Sequence, residues 1–389
     1  MVRADVARCS AGTAGMNVAP DRDSPKEVLA LLGHPGSTPL LEVPSLAMLC
    51  DVAEVFVKAE RCRQLGSFKS LGGLYAALRA LTRATGAASI ADMLEAGSAG
   101  ARLPCLICAS DGNHGLAVAA AAQLAGAPAR IFLPNGLSAC RVERIRQTGA
   151  TIAHVYGTYD DAVAAATAAA APSGGLLIAD TSDRSDDLVV SEVVQGYGVI
   201  ANELRDQLSD RAPPTHLFVQ AGVGGLAASL VQGLYDSWQP PSRFIVVEPK
   251  NAACVTAGLC AASPVPVAGD LMTRAEMLSC GLASRPALDI LSKRVTASLL
   301  VTEHQLAAAQ LVLTAASGSL ASASGAAGLA GLLAAASSRV SRDRLGLDQS
   351  SRVLLIETEG SDGAQPMATL GTVIESDEAD LVLFEAMHA

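Results

Sequence analysis

Short aliphatic runs alternate with longer, alanine-rich stretches along most of the 389-residue chain. The runs that predict strands lie at 53–60, 105–110, 129–134, 151–156, 176–180, 216–220, 243–248 and 352–359. The stretches that predict helices between them include 114–126, 160–171, 187–209 and 225–237. Strands that alternate with helices favour a mostly parallel sheet with crossover helices, so the predicted fold class is α/β. Such sheets bind ligands at the carboxyl ends of their strands.

The segments outside these elements divide into further helices and irregular regions. Alanine-rich tracts at 163–171 and 306–335 keep Leu, Val and Gly at packing intervals, and alanine is the best helix former, so we predict packed helices there. Residues 338–350 are predicted to form a surface loop, and residues 1–25 a loose N-terminus.

The net charge argues against some classes of binding partner, and the cysteine content indicates the cellular compartment. The formal net charge of −10 argues against nucleic acid and anionic membranes as partners. The first twenty residues contain no apolar segment that would direct secretion or span a membrane. Nine cysteines without a small-domain spacing fit free thiols in a reducing cytoplasm. Cys105 and Cys108 stand three apart on a predicted strand, so they point to opposite faces and predict no metal site.

A lysine stands among small and apolar residues in Gly66-Ser67-Phe68-Lys69, where a helix is predicted to begin. Lysine is almost never fully buried unless it is paired. In an apolar pocket its charged form is disfavoured, and the neutral amine is a nucleophile. An ordinary surface lysine in a first helical turn is the alternative.

Two loops at strand ends predict ligand contacts. Ser-Asp-Gly-Asn-His-Gly, at 110–115, follows one strand and opens a helix, although Asp111 or Asn113 taken singly fits a cap or turn residue. After the strand that ends at Gln220, the glycine turn at 222–225 opens another helix. Backbone amides at such a helix start favour an anion, and a phosphate is expected.

The glycine turn also fits a second class of protein. Gly222, Gly224 and Ala227 match the pattern GxGxxA, and Glu248 ends the next strand. This arrangement imitates a nicotinamide-dinucleotide fingerprint, so an NAD-dependent oxidoreductase stays open, as does a purely structural role for the glycines. A pyridoxal 5'-phosphate (PLP) enzyme, however, uses all three stretches. Lys69 would form the Schiff base, the glycines would hold the phosphate, and Asn113 could bond the cofactor's ring hydroxyl.

Five motifs, GSFK, SDGNHG, QAGVGG, VVEP and TEGSDG, occur in the order and rough spacing of fold-type II PLP enzymes. Over residues 30–365 the chain most resembles the diaminopropionate ammonia-lyases. The resemblance implies a tryptophan synthase β-like fold of two α/β domains with the cofactor in the cleft between them. The larger domain would comprise 26–101 and 206–389, and the smaller 102–205. The resemblance adds Phe68, Val223 and Leu226 to the cofactor contacts.

The same resemblance implies roles for two aspartates and a threonine. Serine and threonine dehydratases carry serine at the position of Asp111. An aspartate at this position resembles the pattern of the ammonia-lyases. A carboxylate can serve as base and acid at the substrate's Cα and Cβ. Asp180, followed by Gln-Gly-Tyr-Gly at 195–198, is implied to face the substrate, with a helix or turn cap as the alternative. Thr358, or failing that Ser361, is the candidate partner of the pyridine nitrogen.

Three segments depart from the family pattern. Ala323 stands where the family has glutamate, Arg274 and Glu276 replace small or apolar residues, and the segment after Asp180 lacks aromatic character. These segments are expected to contact substrate, so another β-substituted amino acid stays open.

The expected function is PLP-dependent α,β-elimination by a cytoplasmic homodimer, with 2,3-diaminopropionate converted to pyruvate and ammonia. The proposed catalytic residues are Lys69, Asp111 and Asp180. A serine/threonine-type dehydratase, a β-replacement synthase and a catalytically silent PLP-binding homologue share the cofactor residues and stay open. The dimer is expected by analogy only.

Overall fold

The computed structural model describes residues 23–31, 36–110, 112–361 and 379–384. In chain order the strands are β1 (Leu40–Glu42), β2 (Glu54–Ala59), β3 (Leu106–Ala109), β4 (Ala129–Pro134), β5 (Thr151–Val155), β6 (Leu176–Leu177), β7 (His216–Gln220), β8 (Arg243–Pro249), β9 (Val295–Val301), β10 (Arg352–Glu357) and β11 (Asp380–Leu383). They form two separate sheets. The larger has the order β1-β2-β10-β7-β8-β9-β11, and the smaller has the order β5-β4-β3-β6.

Helices cover the faces of both sheets, as the parallel pairing requires. They are α1 (Pro25–Leu31), α2 (Pro44–Cys50), α3 (Lys69–Thr85), α4 (Ile90–Ser98), α5 (Asn113–Ala125), α6 (Ala139–Arg146), α7 (Tyr159–Ser173), α8 (Leu188–Gln207), α9 (Gly225–Leu234), α10 (Cys254–Ala261), α11 (Arg285–Leu291), α12 (Glu303–Ser317), α13 (Ala327–Ser337) and α14 (Arg339–Leu345). Antiparallel pairing occurs at the edges of the larger sheet, where β1 meets β2 and β11 meets β9.

The predicted α/β class is confirmed, and a strand occurs at each of the eight predicted positions. Strands β1, β9 and β11 were not predicted. The prediction of a loop over 338–350 is wrong, because the Ser338 side chain caps the N-terminus of α14 and Gly346, at φ +62°, ends it. The predicted helical tract 306–335 is interrupted, because Gly318 ends α12 at φ +70° and α13 begins only at Ala327.

The cysteines on and beside β3 are unpaired in the described part of the chain. Cys108 is buried on β3, Cys105 precedes that strand half-buried, and both are free thiols. Within the described ranges, no group of three or more His, Cys, Asp or Glu side chains is placed to hold a metal ion. No helix in this part of the chain has the length and apolar character needed to cross a membrane.

Helices α3 and α8 pack at backbone distance, and α3 begins with Lys69. A Cβ on Gly196 in α8 would lie 2.7 Å from the Cα of Gly72 in α3. A Cβ on Gly72 would in turn lie 2.6 Å from the carbonyl oxygen of Val193. Distances this short leave no room for any side chain at either position. The contact therefore fixes the first turn of α3 against α8.

Adding one methyl group at Gly196 tests this contact. Although alanine favours helices, Gly196→Ala is expected to lower the free energy of unfolding by about 1–3 kcal/mol, because two backbones must move apart. Gly198→Ala, two residues along the same helix, is the control. Its Cβ would meet only the Ser229 hydroxyl at 3.9 Å, so a gain of up to about 1 kcal/mol is expected. Equal stability of the two variants in urea unfolding would contradict the close contact.

Candidate active site

A cleft lies between the two sheets, at the carboxyl ends of β3, β7 and β10. The structure brings most of the predicted site residues together there: Phe68, Lys69, Asn113, Asp180, Gly222, Val223, Gly224, Gly225, Leu226 and Thr358. Asp111 lies outside the described residues. Ser361 does not line the cleft, and its N–H donates to the carbonyl of Leu320.

Lys69 and Asp180 form an ion pair across the cleft. The Lys69 Nζ lies 2.6 Å from Oδ2 of Asp180, and the Tyr159 hydroxyl donates to Oδ1 at 2.6 Å. Asp180 does not cap α8, because the side chain of Asp187 occupies that position. Asp180 is therefore not the cap of this helix.

The pair sets the charge state of both groups. Burial acts to lower the pKa of Lys69, but the charge and hydrogen bond of Asp180, together with the contributions of Tyr197 and Cys280, outweigh burial and raise that pKa well above its ordinary value. Burial likewise acts to raise the pKa of Asp180, but the charge and hydrogen bond of Lys69, together with His114 and the Tyr159 hydroxyl, outweigh burial and hold that pKa well below its usual range. The expectation of a neutral amine in an apolar pocket is wrong for the ligand-free protein. Lys69 is cationic because its partner is a buried carboxylate.

His114 supports the segment that carries Asp180. Its Nε2 lies 3.0 Å from the carbonyl oxygen of Ile178, two residues before the carboxylate. Burial lowers the pKa of His114, which favours the neutral ring. The imidazole therefore connects the start of α5 to the loop after β6.

The glycine turn is shaped for an anion. Gly224 has φ +97°, and a Cβ on Gly222 would lie 3.2 Å from both the Cys280 sulfur and the Met277 carbonyl oxygen. No described residue accepts a hydrogen bond from the backbone N–H groups of residues 222–226. These donors stand at the N-terminus of α9, where the helix dipole adds positive potential. They fit the phosphate of PLP.

Thr358 follows β10 and is held by the Gln220 amide. The Nε2 of Gln220 donates to the Thr358 hydroxyl at 3.2 Å and to the carbonyl oxygen of Ile356 at 2.9 Å. Since the hydroxyl oxygen accepts this bond, its own proton remains for an acceptor in the cleft. A pyridine nitrogen is such an acceptor.

Glu359 is a carboxylate in the cleft that the sequence analysis did not select. Its Oε2 accepts a hydrogen bond from Nδ2 of Asn113, and its Oε1 accepts one from the Ser322 hydroxyl at 2.7 Å. Glu359 thus brings a carboxylate to the segment where Ala323 replaces the family's glutamate. It also holds one N–H of the Asn113 amide and leaves the second for a ligand.

Glu248 does not face the glycine turn. Its carboxylate accepts hydrogen bonds from the N–H groups of Val255 and Thr256, both at 2.8 Å, at the start of α10. Burial raises its pKa to about 7. The Glu248 carboxylate caps the N-terminus of α10 and is not available to bind a ribose. The interpretation of the glycine turn as a nicotinamide-dinucleotide site, which needs Glu248 for the ribose, is therefore wrong.

The Lys69–Asp180 pair predicts a measurable pKa change in the ligand-free protein. Asp180→Asn removes the negative charge, so the pKa of Lys69 is expected to fall by more than one unit. The Cε resonance of 13C-labelled lysine, followed as a function of pH, measures it. Tyr159→Phe is the control, because it removes one bond to Asp180 and keeps the charge. An unchanged pKa in Asp180→Asn would show that the pair does not set the charge of Lys69.

Comparison with known proteins connects this geometry to a family. A family model described as "Pyridoxal-phosphate dependent enzyme" matches residues 31–359. The diaminopropionate ammonia-lyase of Salmonella typhimurium is 33% identical over 361 residues, which cover 86% of this chain and 88% of the relative. That of Escherichia coli K12 is 32% identical over 336 residues, covering 83% and 84%.

Solved structures agree with the sequence comparison. Escherichia coli diaminopropionate ammonia lyase in complex with D-serine has a TM-score of 0.79 at 29% identity and covers 88% of this chain and 89% of its own. The same enzyme with an aminoacrylate-PLP azomethine reaction intermediate has a TM-score of 0.76 at 30% identity, covering 84% and 85%. The chain belongs to the pyridoxal-phosphate-dependent enzymes of fold type II, and its cofactor is pyridoxal 5'-phosphate.

Proposed function

We propose that this protein catalyses elimination of ammonia from 2,3-diaminopropionate, which yields pyruvate and ammonia. The observation that carries the proposal is the position of Lys69 in one cleft with the Asp180 carboxylate and the amide donors of the glycine turn. Diaminopropionate ammonia-lyases of Salmonella typhimurium and Escherichia coli K12 match 86% and 83% of the chain, which supports this reaction. Asp111, where the dehydratases have serine, supports this choice.

The cofactor-holding residues come from both walls of the cleft. Lys69 would hold PLP covalently through Nζ, and the amides of 222–226 would bind its phosphate. Asn113 would donate its second amide N–H to the ring hydroxyl, and Thr358 would donate to the pyridine nitrogen. When bound, PLP supplies an electron sink for the bonds at the substrate's Cα.

Proton transfer would fall to the carboxylates and the lysine. Asp180, fixed by Tyr159 and Lys69, is positioned to accept or return a proton inside the cleft. The role of Asp111 as proton acceptor at Cα rests on the sequence alone. Because a β-ammonium group leaves as neutral ammonia, the reaction requires that a proton from Cα be taken up by the protein.

Assembly and domain division belong to the same proposal. Strands β3 to β6 form the separate smaller sheet, which supports a smaller domain within 102–205 and a larger domain of 26–101 and 206–389.

Free thiols at the described cysteines support a cytoplasmic protein. A homodimer is proposed by analogy with the family, and a sedimentation mass equal to one chain would contradict it.

A substrate panel tests the reaction. The holoenzyme is expected to release pyruvate from D- or L-2,3-diaminopropionate with a kcat/KM roughly 100-fold above that for serine or threonine. The 2-oxo acid (pyruvate, or 2-oxobutyrate from threonine) and ammonia are measured together, with Lys69→Ala as the blank.

Each alternative has its own outcome in this panel. Faster turnover of serine or threonine would favour a dehydratase, for which the mouse L-serine dehydratase/L-threonine deaminase, 31% identical over 52% of this chain, is a relative. Loss of pyruvate when a thiol nucleophile is added would favour a β-replacement synthase. PLP-bound protein that is inert toward the whole panel would favour a silent homologue.

A further inference from the structure

Tyr197, on α8, carries a buried hydroxyl near the Lys69 amine, which forms its short ion pair with Asp180. The side chain is 1% exposed, and its oxygen has no hydrogen-bond partner within the described ranges. Burial of a polar group without a partner is costly, and such groups in native proteins need an explanation. Tyr197 lines the cleft beside Lys69, so a ligand in the cleft can supply the partner.

The ring of Tyr197 is fixed by three neighbours. It lies 4.8 Å from the Phe68 ring, centroid to centroid, at an interplanar angle of 59°. Its Cε1 is 2.5 Å from the position of a Cβ on Gly72, so only glycine fits there. Its Cε2 is 3.6 Å from the position of a Cβ on Gly225, the first residue of α9. The ring therefore lies between the first turns of α3 and α9.

This place is suited to a donor for an anion. The amides of the glycine turn and the N-terminus of α9 already provide positive potential. Burial raises the pKa of the Tyr197 phenol above its ordinary value, and nearby Lys69 only partly opposes this. The hydroxyl therefore keeps its proton and can donate it. Lys69 directs its amine to Asp180 at 2.6 Å.

We propose that the Tyr197 hydroxyl donates a hydrogen bond to a phosphate oxygen of PLP, as a side-chain addition to the backbone amides of the glycine turn. This inference rests on the proposed function, because it requires the phosphate to bind at that turn. Tyr197 is then a cofactor-binding residue that contacts neither the substrate nor the reacting bonds. Its hydroxyl makes the site more selective for the phosphorylated form of the cofactor.

Comparing the affinity for PLP with that for pyridoxal, which lacks the phosphate, isolates the hydrogen bond between Tyr197 and the phosphate from the other cofactor contacts. Apoprotein of wild type and of Tyr197→Phe is titrated with each compound, and the two dissociation constants are compared. For Tyr197→Phe, PLP is expected to bind about 10- to 100-fold more weakly, because a hydrogen bond to a charged group is lost. The dissociation constant of pyridoxal is expected to stay the same.

Two controls address folding. Tyr75→Phe alters another buried tyrosine, on α3 and outside the cleft lining, and should leave the PLP-to-pyridoxal ratio unchanged. Apoprotein of Tyr197→Phe should melt no lower than wild type, since no bond within the described residues is lost. If that variant fails to fold, wild-type apoprotein still gives a test. Inorganic phosphate should shift its near-ultraviolet tyrosine absorption, and absence of a shift at saturation would contradict the inference.

The outcomes distinguish this inference from the proposed function. If wild type binds PLP and Tyr197→Phe has the same PLP-to-pyridoxal ratio, the inference is wrong and the proposed function stands. Equal weakening of PLP and pyridoxal would also overturn it, because the hydroxyl would then act on Lys69 or the ring. If wild type does not bind PLP at all, the proposed function fails and the inference fails with it.

Discussion

The ion pair between Lys69 and Asp180 connects the two halves of the cleft. Lys69 begins α3, which comes after strand β2 of the larger sheet. Asp180 lies in the loop after β6, a strand of the smaller sheet. Both charges are largely withdrawn from water, so removal of either partner would leave an uncompensated buried charge. Tyr159 and His114 then fix the Asp180 segment from the smaller-sheet side. These contacts hold the Lys69 amine and the Asp180 carboxylate together across the cleft.

Close packing behind the pair explains why the Lys69 amine lies in the same cleft as the glycine turn. Gly72 and Gly196 let α3 and α8 meet at backbone distance, and α8 then places Tyr197 against Gly225. A buried network also anchors the turn that leads to Lys69. In it, Arg63 bonds Glu203 on α8 at 2.7 Å and Glu60 at 2.8 Å. The close glycine contact and the buried charge network therefore both position the start of α3 against α8.

Much of this arrangement follows from local sequence pattern, and the rest depends on tertiary contacts. Eight strands were predictable because each is part of a continuous aliphatic or β-branched run, whereas β1 is only three residues long and has no usable periodicity. The motifs around Lys69, Asn113 and the glycine turn located the cleft. The direction of the Lys69 pKa shift was not predictable, because the partner that raises this pKa, Asp180, is 111 residues away in the sequence. Glu359 was missed for the same reason, because it meets Asn113 across 246 residues.

The central claim is that one amine, that of Lys69, holds the cofactor. The chain has five lysines, Lys26, Lys58, Lys69, Lys250 and Lys293, so the claim can be tested by mapping. The holoenzyme is reduced with borohydride and digested, and the peptides are analysed by mass spectrometry. The account predicts a phosphopyridoxyl group on the peptide that contains Lys69 and on no other lysine peptide. A phosphopyridoxyl group on any of the other four lysines, with Lys69 unmodified, would contradict it.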